Sequence, residues 1–259
     1  MVRTGQETVL EVRGLTRRFG AVVALDSIDL AVPRGAFFAL VGPNGAGKTT
    51  TVRILSGLLR GQAGEVRLLG VDPSRDPFRV RELVGVVPDF LPLWEPLTAR
   101  ENLLEIAGLR GLPRQETVHR IADLAEALGL ADALDQPVLQ LSHGTRKKVT
   151  LAAAMLHAPP LLFLDEPFEG IDPVAARTIR HLLAALRERG VTLLLTSHVL
   201  PLVETLATHL AILDHGRIAA AGPLEEVLAG RTLEEAFVAA VGEPAPAPDL
   251  SWYRPGGGR

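Results

Sequence analysis

The chain has 259 residues, of which 47% are hydrophobic and 22% are charged, and its formal net charge is −3. These values are typical of a globular protein with a sizeable core, in one large α/β domain or two smaller ones, and they give no sign of a nucleic-acid-binding surface. The chain contains no cysteine, which excludes disulfide bonds, thiolate catalysis and cysteine-ligated metals and agrees with a reducing cytoplasm.

Neither a signal peptide nor a membrane-spanning helix is predicted. The first residues, MVRTGQETVLEVRG, lack the apolar segment of a secretory signal. The longest stretch without Asp, Glu, Lys or Arg, residues 149–164, is interrupted by Pro159 and Pro160. It is also shorter than the roughly 20 apolar residues that a spanning helix needs.

Short apolar segments alternate with amphipathic ones along the chain. Strands are predicted at residues 28–32, 36–41, 65–69, 84–87, 161–164, 191–196 and 210–213. Several are apolar throughout, as in strands buried on both faces of a sheet. Helices are predicted at residues 52–59, 146–157 and 174–189, and capping boxes at Thr98–Glu101 and Thr232–Glu235 mark two further starts. The alternation predicts an α/β fold with a mostly parallel sheet.

The order of these elements predicts four parts. Residues 1–88 and 159–222 form the α/β core, with a β-rich part at its N-terminal end. Residues 89–158 show helix after helix and are predicted to be an inserted helical subdomain. Residues 223–242 are predicted to add C-terminal helices, and residues 243–259 form a flexible tail rich in proline and glycine.

The first motif with a chemical meaning is GPNGAGKTT, which follows the strand predicted at residues 36–41 and precedes a helix. This is the pattern of a phosphate-binding loop in its required setting. Its glycines let consecutive backbone N–H groups point at phosphate oxygens, Lys48 supplies a charge to the β- and γ-phosphates, and Thr49 offers a hydroxyl to Mg²⁺. The complete motif argues against a glycine-rich turn without a ligand. The predicted nucleotide contacts are Gly42, Pro43, Asn44, Gly45, Ala46, Gly47, Lys48, Thr49 and Thr50.

Two further strands are predicted to end in reactive side chains. The segment LLFLDEP places Asp165 where it can hold Mg²⁺ and Glu166 where it can polarise an attacking water. An ordinary acidic turn is the alternative, which the phosphate-binding loop makes less attractive. The strand ending in TSH places His198 at the same sheet edge. A role for His198 in bonding the γ-phosphate or the water competes with a purely structural role.

The segment LSHGTRKK raises a question of charge. Arg146, Lys147 and Lys148 fall near the start of a predicted helix, although a helix N-terminus is already partly positive and favours anions. An anion docking at this helix start would explain the pattern.

The phosphate-binding loop, LSHGT, LDEP, GIDP and TSH, in this order, resemble the motifs of ATP-binding-cassette (ABC) ATPase domains. The resemblance covers residues 8 to about 222. It implies a P-loop NTPase (RecA-like) core with a helical subdomain, with ATP and Mg²⁺ as cofactors. It also implies two cassettes joined head to tail, so that ATP lies between the loop of one chain and the LSHGT signature of the other.

The resemblance assigns further roles residue by residue. Ser142 and the Gly144 backbone would donate to the γ-phosphate of ATP on the other chain, with most of the three cations on a solvated face. Phe19 would stack on adenine, with a core position as the alternative. Asp89 stands where the family usually has Gln, and would reach Mg²⁺ through water and take part in catalysis.

For each of two residues at the expected dimer junction, the sequence leaves two explanations open. Asp172 would signal across the dimer, and it also has a sufficient local role as a helix N-cap. His143 replaces the second glycine of the usual signature. Either its ring points away from the nucleotide, or it faces the γ-phosphate as a protonated imidazole.

The resemblance also implies partners. A working site needs a second copy of the chain or a sister ATPase subunit, and the cassette would act in the cytoplasm, on the inner face of the cell membrane, through a separate transmembrane permease. Residues 90–102, FLPLWEPLTAREN, are the predicted permease contact because they are apolar and aromatic, with Leu93 and Trp94 as core residues in the alternative.

The segment LEEAFVAAVG at residues 233–242, with the variant signature, resembles the branch that exports drugs, lipids and polysaccharides. The alternative is a soluble ABC ATPase of translation, DNA repair or metal-cluster assembly, but the chain has neither two cassettes nor a long coiled coil. A GTPase would need Asn-Lys-x-Asp, which is absent from the sequence.

Overall fold

The computed structural model describes residues 7–90 and 92–242 of the chain. The strands in these residues are β1 Thr8–Phe19, β2 Val22–Pro33, β3 Phe37–Val41, β4 Ala63–Leu68, β5 Val84–Val87, β6 Leu161–Asp165, β7 Thr192–Ser197, β8 His209–Asp214 and β9 Arg217–Pro223. The helices are α1 Lys48–Leu55, α2 Pro77–Leu83, α3 Ala99–Leu109, α4 Arg114–Leu128, α5 His143–Met155, α6 Pro173–Glu188, α7 Leu200–Leu206, α8 Leu224–Leu228 and α9 Leu233–Val241.

A six-stranded sheet in the order β5-β6-β7-β3-β8-β9 forms the centre of the fold. The first five strands in this order, from β5 through β3 to β8, are parallel, and β9 runs antiparallel to β8. Thr196 on β7 is paired with Leu40 on one side and Asp165 on the other. The carboxyl ends of β3, β6 and β7 therefore meet at one edge of the sheet, which is where open α/β sheets bind ligands.

Apolar side chains cover both faces of this sheet. On β3, Phe37, Ala39 and Val41 belong to one buried cluster, and Phe38 and Leu40 belong to the other. A strand buried on both faces has to be apolar throughout, which is why its sequence predicted it well. The α/β fold with a mostly parallel sheet is confirmed.

A second sheet has three antiparallel strands in the order β2-β1-β4. The predicted strand at residues 28–32 is the second half of β2, and that at 65–69 corresponds to β4. Neither β1 nor β9 was predicted. In both strands exposed or half-buried residues alternate with more buried ones, so they lack the continuous apolar run on which the prediction depended.

Residues 92–158 contain α3, α4 and α5 and, among the residues described, no strand. The capping boxes at Thr98 and Thr232 are confirmed, because in each the hydroxyl and the glutamate side chain exchange hydrogen bonds with the backbone. Helix α5 begins at His143, three residues before the predicted start, because Ser142 caps it. The boundaries of the four parts remain predictions, and the tail at residues 243–259 lies outside the described residues.

No helix in the described part of the chain combines the length and the apolar character needed to cross a membrane.

Candidate ATP-binding and catalytic site

The loop from Gly42 to Thr50 joins β3 to α1, and its shape depends on glycine. Gly45 and Gly47 have φ values of 82° and 113°, in the left-handed region that other residues avoid. A Cβ on Gly42 would lie 2.2 Å from the carbonyl oxygen of Leu213. The first turn of α1 carries no acidic residue, so the positive end of this helix is available to an anion.

Lys48 is held by its own loop. Its Nζ donates to the carbonyl oxygens of Gly42 at 2.9 Å and Pro43 at 3.3 Å. The same nitrogen lies 3.8 Å from Oε1 of Glu166, and both side chains are almost buried. The charge that the sequence assigned to phosphate is therefore next to the carboxylate that it assigned to catalysis.

Asp165 ends β6 with its carboxylate among hydroxyl groups. Its Oδ1 accepts a hydrogen bond of 2.5 Å from Thr196 Oγ1 and one of 3.3 Å from Thr49 Oγ1. Hard cations such as Mg²⁺ prefer oxygen ligands of this kind. The donor atoms of Thr49 and Asp165 thus fit the predicted metal site.

Glu166 is fixed from several directions. Its φ of 47° is a left-handed value that a non-glycine residue adopts only where its surroundings impose it. Its N–H donates to Thr196 Oγ1 at 3.1 Å, and Oε2 lies 3.0 Å from Nδ1 of His198. Because a carboxylate only accepts hydrogen bonds, Nδ1 carries the proton in this pair. The ligand atoms of Glu166, His198 and Glu169 lie within 4.8 Å of one another.

We refer to Lys48, Thr49, Asp165, Glu166, Thr196 and His198 as the catalytic edge. The structure brings together all five of these residues that the sequence predicted, although they come from three separate segments. Sequence reasoning missed Thr196, whose hydroxyl serves both acidic residues. The only available signal was its position within the TSH motif.

Ser142, His143 and Gly144 form what we call the signature end, at the start of α5. The Ser142 hydroxyl accepts from the N–H of Thr145 at 3.1 Å, and the side chain is exposed. Gly144 is buried, and a Cβ there would lie 3.3 Å from Oδ2 of Asp172. The ring of His143 lies against Gly170, 3.3 Å from the place of a Cβ.

Comparison with known proteins identifies this arrangement. The chain matches the family model described as "ABC transporter" over residues 25–169. It is 37% identical over 226 residues to the daunorubicin/doxorubicin resistance ATP-binding protein DrrA of Streptomyces peucetius, covering 87% of this chain and 68% of that protein. The chain belongs to the ABC transporter family. A solved ATP-binding subunit of an ABC transporter is 32% identical and has a TM-score of 0.84, over 90% of this chain and 99% of that one.

The export branch is also represented among the relatives. Nod factor export ATP-binding protein I of Ralstonia nicotianae is 38% identical over 224 residues, which cover 86% of this chain and 70% of that protein. The family expected from the five motifs is thus confirmed, and with it the ABC ATPase fold and ATP hydrolysis as the reaction of this cassette.

The cations after the signature do not form the predicted solvated face. Lys147 is only 2% exposed, and its Nζ donates to the carbonyl oxygen of Glu166 at 2.5 Å. Arg146 is bonded to the carbonyl oxygens of Leu139 and Leu141 and to Glu95. The prediction is wrong because the second turn of α5 faces the edge of the sheet. The amino-acid composition of the segment does not show which way the helix faces.

Asp172 occupies its predicted N-cap position at the start of α6. Its Oδ1 accepts from the N–H groups of Val174 and Ala175, each at 2.9 Å. The bond from Ala175 is the largest of the causes that hold the pKa of this carboxyl below its usual value. The structure therefore confirms the local role, and signalling across a dimer remains a prediction.

Phe19 ends β1 and is 46% exposed, so it is not a core residue. The guanidinium carbon of Arg17 lies 4.6 Å from the centre of its ring. A cation at this distance is attracted to the face of an aromatic ring. Stacking of Phe19 on adenine remains a prediction, for which the exposed ring is a requirement.

Asp89 follows β5 and its side chain is exposed. In the segment after it, Phe90 and Trp94 are 59% and 46% exposed, whereas Leu93 packs against the larger apolar cluster. The core alternative therefore holds for Leu93 but not for Trp94. Leu91 lies outside the described residues.

Proposed function

We propose that the cassette works as one of two ATPase subunits that close around two ATP molecules and drive a separate membrane permease in an exporter. The observation that carries the proposal is the catalytic edge, where the Glu166 carboxylate contacts both Lys48 and His198, and the neighbouring Asp165 carboxylate contacts the hydroxyl of Thr49. The named activities of the relatives, drug resistance and Nod factor export, support the direction of transport.

Hydrolysis follows from the roles that this geometry allows. The N–H groups of the loop and the ammonium of Lys48 hold the β- and γ-phosphates. The Glu166 carboxylate accepts a proton from the attacking water as the water oxygen bonds to the γ-phosphorus and the bond to the ADP oxygen breaks. His198 orients this carboxylate, because the Nδ1–H and the main-chain N–H of His198 both donate hydrogen bonds to Oε2 of Glu166.

Thr49 and Asp165 would hold Mg²⁺ between them, directly or through water. When bound, Mg²⁺ neutralises the charge of the β- and γ-phosphate oxygens. Asp89 is the third candidate ligand, at the position where the family usually has Gln.

The signature end supports a site shared between two chains. Helix α5 has no acidic residue in its first turn, and its cap residue Ser142 and His143 are both exposed. A helix start of this kind is prepared for an anion. We assign to it the γ-phosphate of the ATP that the second subunit holds.

A complementation experiment tests the shared site. Lys48→Ala removes the phosphate contact of one chain, and Ser142→Asp keeps a good helix cap but places a carboxylate where the phosphate of the other chain is expected. Each variant alone is expected to be inactive. Mixed together they are expected to recover ATPase activity, because a mixed dimer contains one intact site. If mixing restores nothing, while Ser142→Asn is active, the shared site is wrong.

We assign the permease contact to Phe90 and Trp94, which are exposed in the segment that follows Asp89. Trp94→Ala is expected to leave ATP binding intact and to reduce co-purification with a membrane subunit expressed from the same organism. Phe78→Ala is the matched control, because Phe78 is 75% exposed and lies on α2, outside this segment. An absence of any membrane subunit in both purifications would favour the soluble ATPase instead and would also remove the proposed location at the membrane.

A further inference from the structure

Lys147 connects the helix of the signature end to the catalytic edge. It lies in the second turn of α5, yet its side chain is 2% exposed and its Nζ donates to the carbonyl oxygen of Glu166. A buried ammonium group is unfavourable unless hydrogen bonds and opposite charges compensate it. The ammonium group of Lys147 must therefore be stabilised by the groups around it.

Acidic groups surround this ammonium group. The carboxylate of Asp89 acts on it most strongly, followed by those of Glu169, Glu166 and Asp165. Burial lowers the pKa of Lys147, and these four carboxylates oppose that shift. These carboxylates supply the opposite charge that a buried ammonium group needs.

The contact also fixes the main chain of Glu166. The N–H of Glu166 is held by Thr196 and its carbonyl oxygen by Lys147, so both peptide groups of this residue are anchored. The left-handed φ of 47° needs such anchoring. Because the direction of the Cα–Cβ bond follows from the main chain, the anchored peptides also direct the carboxylate.

We propose that Lys147 is a positioning residue for hydrolysis, which aims the Glu166 carboxylate through its main chain. The proposal rests on the role of Glu166 given above. It also gives α5 two tasks, because the helix presents Ser142 to the second subunit and Lys147 to the catalytic edge of its own chain.

The test compares neutral and charged replacements in the full chain. Lys147→Met keeps the length and apolar stem of the side chain but removes the donor and the charge. Its kcat is expected to fall tenfold or more, which is the size expected for the loss of a charge-assisted hydrogen bond. KM for ATP, binding of a non-hydrolysable ATP analogue and Tm are expected to stay near those of the wild type. Lys147→Arg, which keeps the charge, is expected to recover part of kcat, and the control Lys148→Met is expected to stay within twofold.

A second arm separates positioning from damage to the signature helix. Glu166→Gln/Lys147→Met is expected to form the ATP-bound dimer as readily as Glu166→Gln alone. A kcat for Lys147→Met within twofold of the wild type would overturn the proposal, as would a double variant that no longer dimerises. Lys147→Gln is measured by the same criteria in case the methionine variant does not fold. If Glu166→Gln itself neither stops hydrolysis nor traps a dimer, the proposed function fails instead.

Discussion

The catalytic edge and the signature end are proposed to serve the same reaction, but they differ in their exposure to solvent. Lys48, Asp165, Glu166 and Thr196 are all buried and are bonded to one another or to their own backbone. Ser142 and His143 are exposed. The difference shows that one end is organised within the chain, whereas the other is open to solvent, as the proposed contact with ATP on a second subunit requires.

Replacing the catalytic carboxylate should have the largest effect. Glu166→Gln keeps the shape of the side chain but removes the group that accepts the proton of the attacking water. Turnover is expected to fall by about 10²–10⁴-fold, while ATP still binds and an ATP-bound dimer accumulates on size exclusion. Hydrolysis at the native rate would contradict the role of the catalytic edge.

Removal of the phosphate-binding cation should act on affinity. Lys48→Ala is expected to weaken binding of a non-hydrolysable ATP analogue by roughly 10–100-fold, since a hydrogen bond to a charged group contributes about 1.5–3 kcal/mol. Isothermal titration calorimetry measures this directly. Lys148→Ala, which removes the same charge from α5, should leave the affinity of the monomer unchanged, and equal losses in the two variants would contradict the assignment.

A buried anchor stabilises the helical region that carries the signature end. Asn102 is fully buried, and its side chain bonds the backbone of Trp94 in both directions and the carbonyl of Thr98. Asn102→Ala leaves these backbone groups unsatisfied and should lower the free energy of unfolding by about 1–3 kcal/mol. Trp94→Ala should cost less, because that side chain is half exposed. Urea denaturation measures the free energy of unfolding of both variants. A larger decrease for Trp94→Ala than for Asn102→Ala would place Trp94 in the core.

Acid should weaken the same region through a half-buried histidine. Burial is the largest cause that lowers the pKa of His157 to about 4, with the nearby charge of Arg110 next. An unfolded histidine titrates near 6.5, so unfolding takes up a proton between these values and stability falls as the pH decreases from about 6.5 to about 4. His157→Gln should show a shallower loss of Tm over this range.

The matched control for this pH dependence is His181→Gln, because His181 is exposed on α6. Its Tm should follow the wild type at every pH. Parallel Tm profiles for His157→Gln and the wild type would remove His157 from the explanation of acid sensitivity.

The smallest effect is expected at the signature end. The ring of His143 lies against Gly170 of its own chain. In the Glu166→Gln background, the His143→Gly variant should therefore dimerise with ATP as well as the protein that keeps His143, from acid to mildly alkaline pH. If the imidazole instead contacts the phosphate, the glycine variant should dimerise less readily than the form that keeps His143. That outcome would make the His143 side chain a direct contact of the phosphate.

Local patterns in the sequence were sufficient for much of the site. The phosphate-binding loop, the capping boxes at Thr98 and Thr232 and the N-cap at Asp172 each depend on groups only a few residues apart. Their spacing along the chain therefore determines their geometry. The buried strands were equally readable, because burial on both faces requires an apolar run.

Contacts between distant segments were decided only by the tertiary structure. Most of the three cations after the signature were predicted to lie on a solvated face, whereas Lys147 is buried and its bond to Glu166 crosses from the helical region to the sheet edge. Thr196 serves Asp165 and Glu166 because β6 and β7 are neighbours in register. Composition and spacing carry no information on such pairs, since the relative placement of two segments depends on how the whole chain packs. The sequence by itself predicted which groups perform the chemistry, and the packing determined which groups hold them in place.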